Sequence, residues 1–340
     1  MARHQITTQQ IVFPAINQIQ VNTIQQTFSL DVDDVLLQTR YSLVSAGTEL
    51  AKLTGQQKID YPFIPGNRAV GEVIAVGDAV TDVQIGDLVF SHTPHVSHTL
   101  TQKLRIKVPE NVDVKDSPLV GLALVGMTAL RIGQVELGDR AVVIGAGLVG
   151  NLTAQLLQIA GVEVIVVDTN AGRLSNVQEC GLATVVDASV DDPQTVVMDL
   201  TKGLGVDVVV EASGTAQGAA LAVSLTGKSG EGIVVLLGSP RQDYETNLTP
   251  FLNQIHLWRN GSVSLRGAHE WRYPLEHSPF QKHSMARNAE IIFRLMAQNK
   301  LKTSPLITQI VRPDEAATAF AGLQHEPDAY MGILFDWTHS

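Results

Sequence analysis

The strongest indication of the fold is the segment Ala141-Val142-Val143-Ile144-Gly145-Ala146-Gly147-Leu148-Val149-Gly150. An apolar run of strand character leads into three glycines, and residues 148–160 then have the length and small-residue content of a helix. Gly145 permits a tight turn, Gly147 lets the backbone approach a pyrophosphate, and Gly150 lets the helix pack closely on a sheet. The first helical turn, which begins at Leu148 and Val149, would bind the anion because its N–H groups and its dipole point toward it.

The segments that follow extend this motif into a doubly wound parallel sheet. Further continuous apolar runs occur at residues 162–167, 206–210 and 233–237, as expected for strands that are buried on both faces. Because these strands alternate with helical segments, the sequence predicts an α/β fold for this part of the chain.

The two ends of the chain have a different character. Upstream of Pro118, short strands at 35–44, 70–77 and 86–90 are broken by glycines, which predicts a β-barrel or sandwich. Near the end of the chain we expect an amphipathic helix over 285–299 and a closing strand over 332–337.

An acidic residue, Asp168, ends the second strand of the motif at the spacing of a dinucleotide-binding fold. Its carboxylate would accept hydrogen bonds from ribose hydroxyls and repel a 2′-phosphate, which predicts NAD(H) rather than NADP(H), with Thr169 beside it. Arg173 leaves NADP(H) open, because an arginine near this position can accommodate the phosphate. A flavin or nucleotide-sugar fold, or a Rossmann domain that binds nothing, is the alternative interpretation.

Composition limits the partners and the compartment. The 340-residue chain has 24 basic and 34 acidic residues, a net charge of −10, so we expect no nucleic-acid partner. The longest nearly uncharged apolar stretch, residues 119–130, is too short to span a bilayer, which predicts no membrane segment. The single cysteine, Cys180, allows no internal disulfide, and the first residues lack the apolar core of a secretory signal, so we expect a cytoplasmic protein.

Further motifs resemble those of the medium-chain dehydrogenase/reductase superfamily over nearly the full chain. They are Ser45-Ala46-Gly47-Thr48-Glu49, Pro65-Gly66-Asn67-Arg68-Ala69-Val70-Gly71, Gly86-Asp87-Leu88-Val89, Gly126-Met127-Thr128-Ala129, Val206-Asp207-Val208-Val209-Val210-Glu211-Ala212-Ser213-Gly214 and Val234-Val235-Leu236-Leu237-Gly238-Ser239. The resemblance implies a GroES-like catalytic domain built from residues 1–120 and 273–340, a Rossmann NAD-binding domain over 121–272, and an active-site cleft where they meet. It also implies hydride transfer to or from NAD(P) and a homodimer or homotetramer. Within the superfamily, the chain is similar to a subgroup that includes bacteriochlorophyllide-type hydroxyethyl dehydrogenases.

The resemblance and the fold together indicate which residues hold the nicotinamide side of the cofactor. Thr128 matches a family residue that lies near the nicotinamide. Ser213, Gly214, Gly238 and Ser239 stand at strand ends, where a doubly wound sheet binds its ligands. We expect these residues to form the inner part of the cofactor site.

The metal ligands are where the chain departs from the zinc-dependent members. Those members have a cysteine where this chain has Ala46 and a histidine where it has Asn67; a methyl group cannot ligate zinc and an amide is a poor ligand for it. Their structural zinc needs four cysteines, so we predict neither zinc nor another metal. His92, His95 and His98 would not share a face in extended structure, and we interpret them as polar loop histidines, with His95 lining the cleft.

Hydride transfer to a carbonyl builds negative charge on oxygen, which hydrogen-bond donors must stabilise where no metal does so. Thr48 matches the hydroxyl that serves as a proton relay in the zinc enzymes. The amide of Asn67 could donate to the substrate oxygen, and Arg68 could stabilise the alkoxide or pair with Glu49. His95 completes the candidate catalytic residues.

Three functions remain open on the sequence. The first is a zinc-independent, NAD(H)-linked oxidoreductase that acts on a small molecule, namely a secondary alcohol, a polyol or the matching ketone. The second is a quinone or enone reductase that uses NAD(P)H, because a conjugated acceptor delocalises the developing charge. The third is a dinucleotide-binding sensor without catalytic activity, which the missing zinc ligands suggest.

Overall fold

The computed structural model describes residues 3–102, 104–227, 231–327 and 329–339. The chain divides into two compact units. The first comprises Met1–Gly121, Pro274–Asn299 and Leu306–Ser340, and the second comprises Leu122–Tyr273 and Lys300–Pro305. The catalytic part expected from both chain ends is therefore interrupted by the short segment Lys300–Pro305, which the sequence did not separate from it.

Secondary structure covers both units. Within the described ranges the strands are, in chain order, β1 (Arg3–Val12), β2 (Gln20–Ser29), β3 (Val35–Leu43), β4 (Ala69–Val76), β5 (Leu88–Ser91), β6 (His98–Thr101), β7 (Ile106–Lys107), β8 (Arg140–Ile144), β9 (Glu163–Asp168), β10 (Thr184–Asp187), β11 (Val208–Glu211), β12 (Ile233–Leu236), β13 (Ser264–Gly267), β14 (Gln309–Val311) and β15 (Ile333–Asp336). The α-helices are α1 (Ala46–Leu53), α2 (Val120–Gly133), α3 (Leu148–Ile159), α4 (Ala171–Glu179), α5 (Pro193–Leu200), α6 (Ala216–Leu225), α7 (Leu248–His256), α8 (Met285–Ala297) and α9 (Ala316–His325). In the described part of the chain, no helix combines the length and the apolar character that crossing a bilayer requires.

The second unit is built on one parallel sheet with the strand order β10-β9-β8-β11-β12-β13. Val143 of β8 pairs with Val166 of β9 on one side and with Val210 of β11 on the other, and all three side chains are fully buried. Buried apolar strands of this kind explain the continuous runs in the sequence. After β8 the chain builds the sheet first in one direction and then in the other, so the switch point lies between β8 and β11, where such sheets bind ligands.

The first unit contains an antiparallel-rich sheet of seven strands, ordered β14-β15-β3-β4-β5-β7, with β6 paired to β3. The closing strand β15 runs antiparallel to β3, which brings Phe335 opposite Ser42. Phe13, Phe320 and Trp337 are buried with Phe335 in one apolar cluster. A separate hairpin pairs β1 with β2 over ten residues each. The two ends of the chain thus share one core.

The segment Lys300–Pro305 belongs to the second unit because a buried glutamine holds it there. Gln155 of α3 donates from Nε2 to the carbonyl oxygen of Lys302 at 2.9 Å and to Oδ1 of Asn151 at 2.8 Å. Its Oε1 accepts from the backbone N–H of Lys302 at 2.7 Å. The Gln155 side chain thus donates to and accepts from the backbone of the same residue, as a paired strand does, and this holds the segment against α3. The local sequence pattern does not indicate this contact.

Candidate functional site

The three glycines of the motif have three different environments. Gly145 has a φ of +98°, and a Cβ there would lie 2.7 Å from the backbone N of Ser213. A Cβ at Gly150 would lie 1.7 Å from the carbonyl oxygen of Gly145, so a side chain would push α3 away from the loop. A Cβ at Gly147 would meet no atom within 4 Å. The open side of Gly147, together with the N-terminus of α3 at Leu148, leaves room for an anion to approach the backbone.

Asp168 lies beside the glycine loop. It is 9% exposed; its Oδ2 accepts from the backbone N–H of Ala146 at 2.6 Å, and its Oδ1 accepts from that of Asn170 at 2.8 Å. An ionised carboxylate has about four acceptor positions, so these bonds leave capacity for ribose hydroxyls. Thr169 is exposed, and Arg173 lies in the first turn of α4, which the side chain of Asn170 caps. The structure therefore brings the glycine loop and the acidic strand end together.

The turn that follows β11 and the turn that follows β12 contact each other. A Cβ at Gly238, after β12, would lie 2.3 Å from the backbone N of Gly214, after β11. Gly214 has a φ of +70°, and a Cβ there would lie 3.4 Å from the backbone N of Ser239. The contact between Gly145 and Ser213 connects this pair of turns to the glycine loop. The four residues predicted for the nicotinamide side thus lie together.

Thr128 lies in α2 and is almost fully buried. Its hydroxyl donates to the carbonyl oxygen of Leu124 at 3.0 Å, one helical turn earlier. A hydroxyl in this state can only accept a further hydrogen bond. The contact with the nicotinamide that the resemblance implies stays a prediction.

In the first unit, Thr48 lies in the first turn of α1 and is half-buried. Its backbone N–H donates to the carbonyl oxygen of Ser45 at 3.0 Å. Glu49 closes the turn from the other side, because its Oε1 accepts from the backbone N–H of Ser45 at 2.7 Å. These two bonds fix the backbone of the first turn of α1, on which Thr48 lies.

His95 is completely enclosed by groups of the first unit, so the prediction that it acts on a substrate is wrong. It is 0% exposed; Nδ1 lies 2.7 Å from Oγ of Ser42, and Nε2 lies 2.9 Å from Oε2 of Glu49. Trp337 donates from its indole N–H to the same Ser42 hydroxyl at 2.8 Å. With both ring nitrogens bonded to protein groups, His95 cannot donate to a substrate. Its ring connects β3, α1 and β15 through Ser42, Glu49 and Phe335.

Gly66 is required by the position of His95. It has a φ of +97°, and a Cβ there would lie 2.5 Å from the backbone N of His95 and 2.7 Å from its Cγ. The glycine therefore lets the segment that contains Asn67 and Arg68 pass directly over the buried histidine.

Asn67 and Arg68 form a pair in which the guanidinium Nη1 donates to Oδ1 of the amide. Arg68 is 3% exposed, and its Cγ and Cδ pack against Gly121, where a Cβ would lie 2.7 Å from both. Glu49 bonds to the backbone N–H of Ser45 and to the ring of His95. Since a guanidinium can only donate, the amide must turn its oxygen toward Arg68, and its two Nδ2 hydrogens are the donors that remain.

The histidines at 92, 95 and 98 do not form a cluster with other ligands. Within residues 3–102, 104–227, 231–327 and 329–339, no group of three or more His, Cys, Asp or Glu side chains is placed to hold a metal ion. His98 lies on β6, where burial lowers the pKa of its imidazole.

Comparison with known proteins assigns the chain to a family. Residues 31–112 match the alcohol dehydrogenase GroES-like domain, and residues 149–277 match the zinc-binding dehydrogenase domain. A zinc-type alcohol dehydrogenase-like protein of Haemophilus influenzae is 24% identical over 336 residues, which is 88% of this chain and 91% of that protein. D-guloside 3-dehydrogenase of Escherichia coli is 28% identical over 284 residues, or 80% and 78% of the two chains.

The fold agrees with this assignment. Galactitol-1-phosphate dehydrogenase from Escherichia coli superposes with a TM-score of 0.84 at 18% identity and covers 96% of this chain and 99% of that one. The chain belongs to the medium-chain dehydrogenase/reductase superfamily. It is an alcohol dehydrogenase-like oxidoreductase, which confirms the predicted superfamily, the predicted α/β fold with a GroES-like part, and the predicted class of enzyme.

In this dehydrogenase, sequence reasoning did not identify Glu49, Ser42 or Glu211 as parts of the sites. Ser42 and Glu49 are bonded to His95 from elements that are far away in sequence. Glu211 had a signal, because it is a charged residue that directly continues an apolar strand. It is fully buried beneath the turn that contains Ser213 and Gly214.

Proposed function

We propose that this dehydrogenase uses NAD(H), works without zinc, and interconverts a secondary alcohol or polyol with the matching ketone. The observation on which the proposal rests is the open backbone at Gly147, which lies at the N-terminus of α3 and close to the carboxylate of Asp168. A dinucleotide needs both features, an anion site for its pyrophosphate and an acceptor for its ribose. When bound, the nicotinamide supplies or accepts the hydride.

The choice of NAD(H) over NADP(H) rests on Asp168. A 2′-phosphate on the ribose would lie near this carboxylate, and two like charges at about 4 Å cost about 1 kcal/mol in water and about 4 kcal/mol at a protein surface. Asp168→Asn keeps the shape and one acceptor for the N–H of Ala146 but removes the charge. We expect the preference for NADH over NADPH, measured by fluorescence titration, to fall by about tenfold.

Asp187 provides the control for that experiment. It ends β10, where it pairs in register with Asp168, and its carboxylate accepts from the backbone and the hydroxyl of Ser189. Asp187→Asn should leave the cofactor preference unchanged. Tighter binding of NADPH than of NADH by the natural chain would contradict the role of Asp168.

The proposal that zinc is absent rests on the chemistry of the donor set. Of the positions that match the family's ligand motifs, Ala46 offers a methyl group and Asn67 an amide whose oxygen accepts from a guanidinium. Arg68 adds a buried positive charge directly beside Asn67. Zinc prefers thiolate, imidazole or carboxylate ligands and a site without a fixed cation, so these residues do not fit it. Elemental analysis of protein purified without chelator should find far less than one zinc per chain.

Two groups of the first unit are suited to the reacting oxygen. The Nδ2 hydrogens of Asn67 can donate to an oxygen on which negative charge develops, and the neighbouring guanidinium of Arg68 strengthens that donor by polarising the amide. The hydroxyl of Thr48, which lies on the first turn of α1, can pass a proton to or from the same oxygen. Together they supply the charge stabilisation and the proton transfer that carbonyl reduction requires.

Thr48 gives a direct test of this mechanism. Thr48→Val retains the shape and removes the hydroxyl, and we expect turnover to fall by roughly 10²–10⁴-fold because a proton-transfer group is lost. NADH affinity should be unchanged. Thr48→Ser, which retains the hydroxyl, should keep most of the activity, and equal losses in both variants would contradict the relay.

A substrate screen decides between this proposal and the two other candidates. NADH oxidation would be followed with simple ketones, quinones and enones, and NAD reduction with polyols and secondary alcohols. We expect turnover with ketones and polyols. Turnover with conjugated acceptors alone would assign a quinone or enone reductase, and NADH binding without any turnover would assign a sensor.

A further inference from the structure

Glu211 is a buried carboxyl at the centre of the parallel sheet. It is the last residue of β11, pairs with Ile144 of β8 and Leu236 of β12, and is 0% exposed. The switch point of the sheet lies between β8 and β11, so this side chain lies directly below the place where a doubly wound sheet binds its ligand. Burying an ionisable side chain costs free energy unless hydrogen bonds compensate for the lost water, so the contacts of this carboxyl must be identified.

The carboxylate is bonded to the turn that follows it. Oε1 accepts from the hydroxyl of Ser213 and from the backbone N–H of Gly214 at 3.0 Å, and Oε2 lies 3.3 Å from the same N–H. Burial raises the pKa of this carboxyl, and hydrogen bonds from residues 213–215 oppose the rise. The group therefore serves as an acceptor for the N–H of Gly214 and for the Ser213 hydroxyl, which also lies 2.9 Å from the hydroxyl of Thr215.

The backbone of Glu211 holds the second turn. Its carbonyl oxygen accepts from the N–H groups of Leu237 and Gly238, both at 2.9 Å. One residue thus fixes the turn after β11 through its side chain and the turn after β12 through its main chain. These are the two turns predicted to hold the nicotinamide.

Glycines leave the space that this arrangement needs. A Cβ at Gly218, in the first turn of α6, would lie 2.9 Å from Oε1 of Glu211, and a Cβ at Gly238 would lie 3.1 Å from Oε2. A Cβ at Gly145 would meet the backbone N of Ser213 at 2.7 Å. The carboxylate is therefore enclosed by α6 on one side and by the turn after β12 on the other, and the turn that it holds is packed against the glycine loop.

We propose that Glu211 is a positioning residue for the nicotinamide end of the cofactor, because it locks the two turns at the switch point into one rigid surface. The proposal rests on the proposed binding of NAD(H). On that proposal the adenosine end would contact the glycine loop and Asp168, whereas the Glu211 side chain bonds to Ser213 and Gly214. The Glu211 side chain therefore acts directly on the turn at the nicotinamide end, and it reaches the glycine loop only through the contact between Ser213 and Gly145.

The test compares NADH with ADP-ribose, which has the adenosine and pyrophosphate parts but no nicotinamide. In Glu211→Gln, one oxygen remains and an N–H₂ replaces the other, so a donor then faces the N–H of Gly214. We expect NADH affinity to fall by about tenfold or more, since a charge-assisted acceptor is lost, while the affinity for ADP-ribose stays within twofold. Asp187→Asn, at the end of β10, should change neither affinity.

The outcomes separate this proposal from the proposed function. A natural chain that binds neither NADH nor ADP-ribose overturns both. Normal binding by the natural chain, combined with equal losses of NADH and ADP-ribose affinity in Glu211→Gln, or with no loss, overturns only the role of Glu211. If Glu211→Gln fails to fold, Gly218→Ala decides, because its Cβ would lie 2.9 Å from Oε1 of Glu211 and displace the carboxylate without changing a residue predicted to contact the cofactor; a selective loss of NADH affinity supports the role, and its absence overturns it.

Discussion

Replacing two glycines of the cofactor loop one at a time separates the binding of the cofactor from the stability of the protein. Gly147→Ala introduces a methyl group where the nearest atom is more than 4 Å away, whereas Gly150→Ala introduces one 1.7 Å from the carbonyl oxygen of Gly145. The first variant is therefore expected to bind NADH poorly and to remain stable. The second is expected to lose stability itself.

The magnitudes follow from these distances. At position 150 the clash is with the backbone, so no rotamer change relieves it, and overpacking lowers the free energy of unfolding by about 3 kcal/mol. The better helix propensity of alanine offsets about 1 kcal/mol of this loss. A net loss of about 2 kcal/mol corresponds to a Tm roughly 4–8 °C lower for a folded unit of this size. At position 147 alanine is a weaker N-cap than glycine, which lowers the free energy of unfolding, but it also restricts the unfolded chain, which raises it. The two contributions cancel to within about 0.5 kcal/mol.

Binding should respond in the opposite order. The methyl group at position 147 occupies the space through which a pyrophosphate approaches the backbone, and a steric cost of about 1–3 kcal/mol weakens NADH binding by about tenfold or more. Thermal unfolding followed by circular dichroism and NADH titration followed by fluorescence measure the two effects on the same samples. Unchanged NADH affinity in Gly147→Ala, or unchanged Tm in Gly150→Ala, would refute the reasoning.

Two further predictions concern other parts of the chain. Gly66→Ala should lower the free energy of unfolding by about 2–4 kcal/mol, because its Cβ would lie 2.5 Å from the backbone N of His95 at a φ of +97°. The control is Gly86→Ala, where φ is +92° and no atom lies within 4 Å, so only the backbone strain of about 1–2 kcal/mol is expected. Equal losses of stability in the two variants would contradict the role of the contact with His95. Burial raises the pKa of the Cys180 thiol to about 11, so little thiolate is present in the native chain at pH 8. A thiol reagent should therefore label the unfolded chain at once and the native chain far more slowly. Rapid labelling of the native chain would contradict this prediction.

The parallel sheet and the glycine loop could be predicted from the sequence because their signals are local. Apolar runs such as 162–167 and the spacing of Gly145, Gly147 and Gly150 depend on a few neighbouring residues. Strands β10 and β13 were not predicted, since Thr184–Asp187 and Ser264–Gly267 are short and include polar residues at the edges of the sheet. Edge strands need fewer apolar residues, so their pattern is weak.

The environment of His95 could not be predicted, because it depends on contacts between distant parts of the chain. Ser42 and Glu49 lie on β3 and α1, and Trp337 lies just past the last strand. No local spacing indicates that these groups meet around one imidazole. For the same reason the sequence could not show that Gln155 of α3 holds Lys302, far along the chain.

The most direct test of the central claim combines metal content with turnover on one sample. Protein dialysed against a chelator would be analysed for zinc and then assayed for NADH-dependent reduction of a panel of ketones, with the alcohol product identified. We expect sustained formation of a secondary alcohol by protein that contains far less than one zinc per chain. Activity that disappears on chelation and returns only when zinc is added would contradict the account.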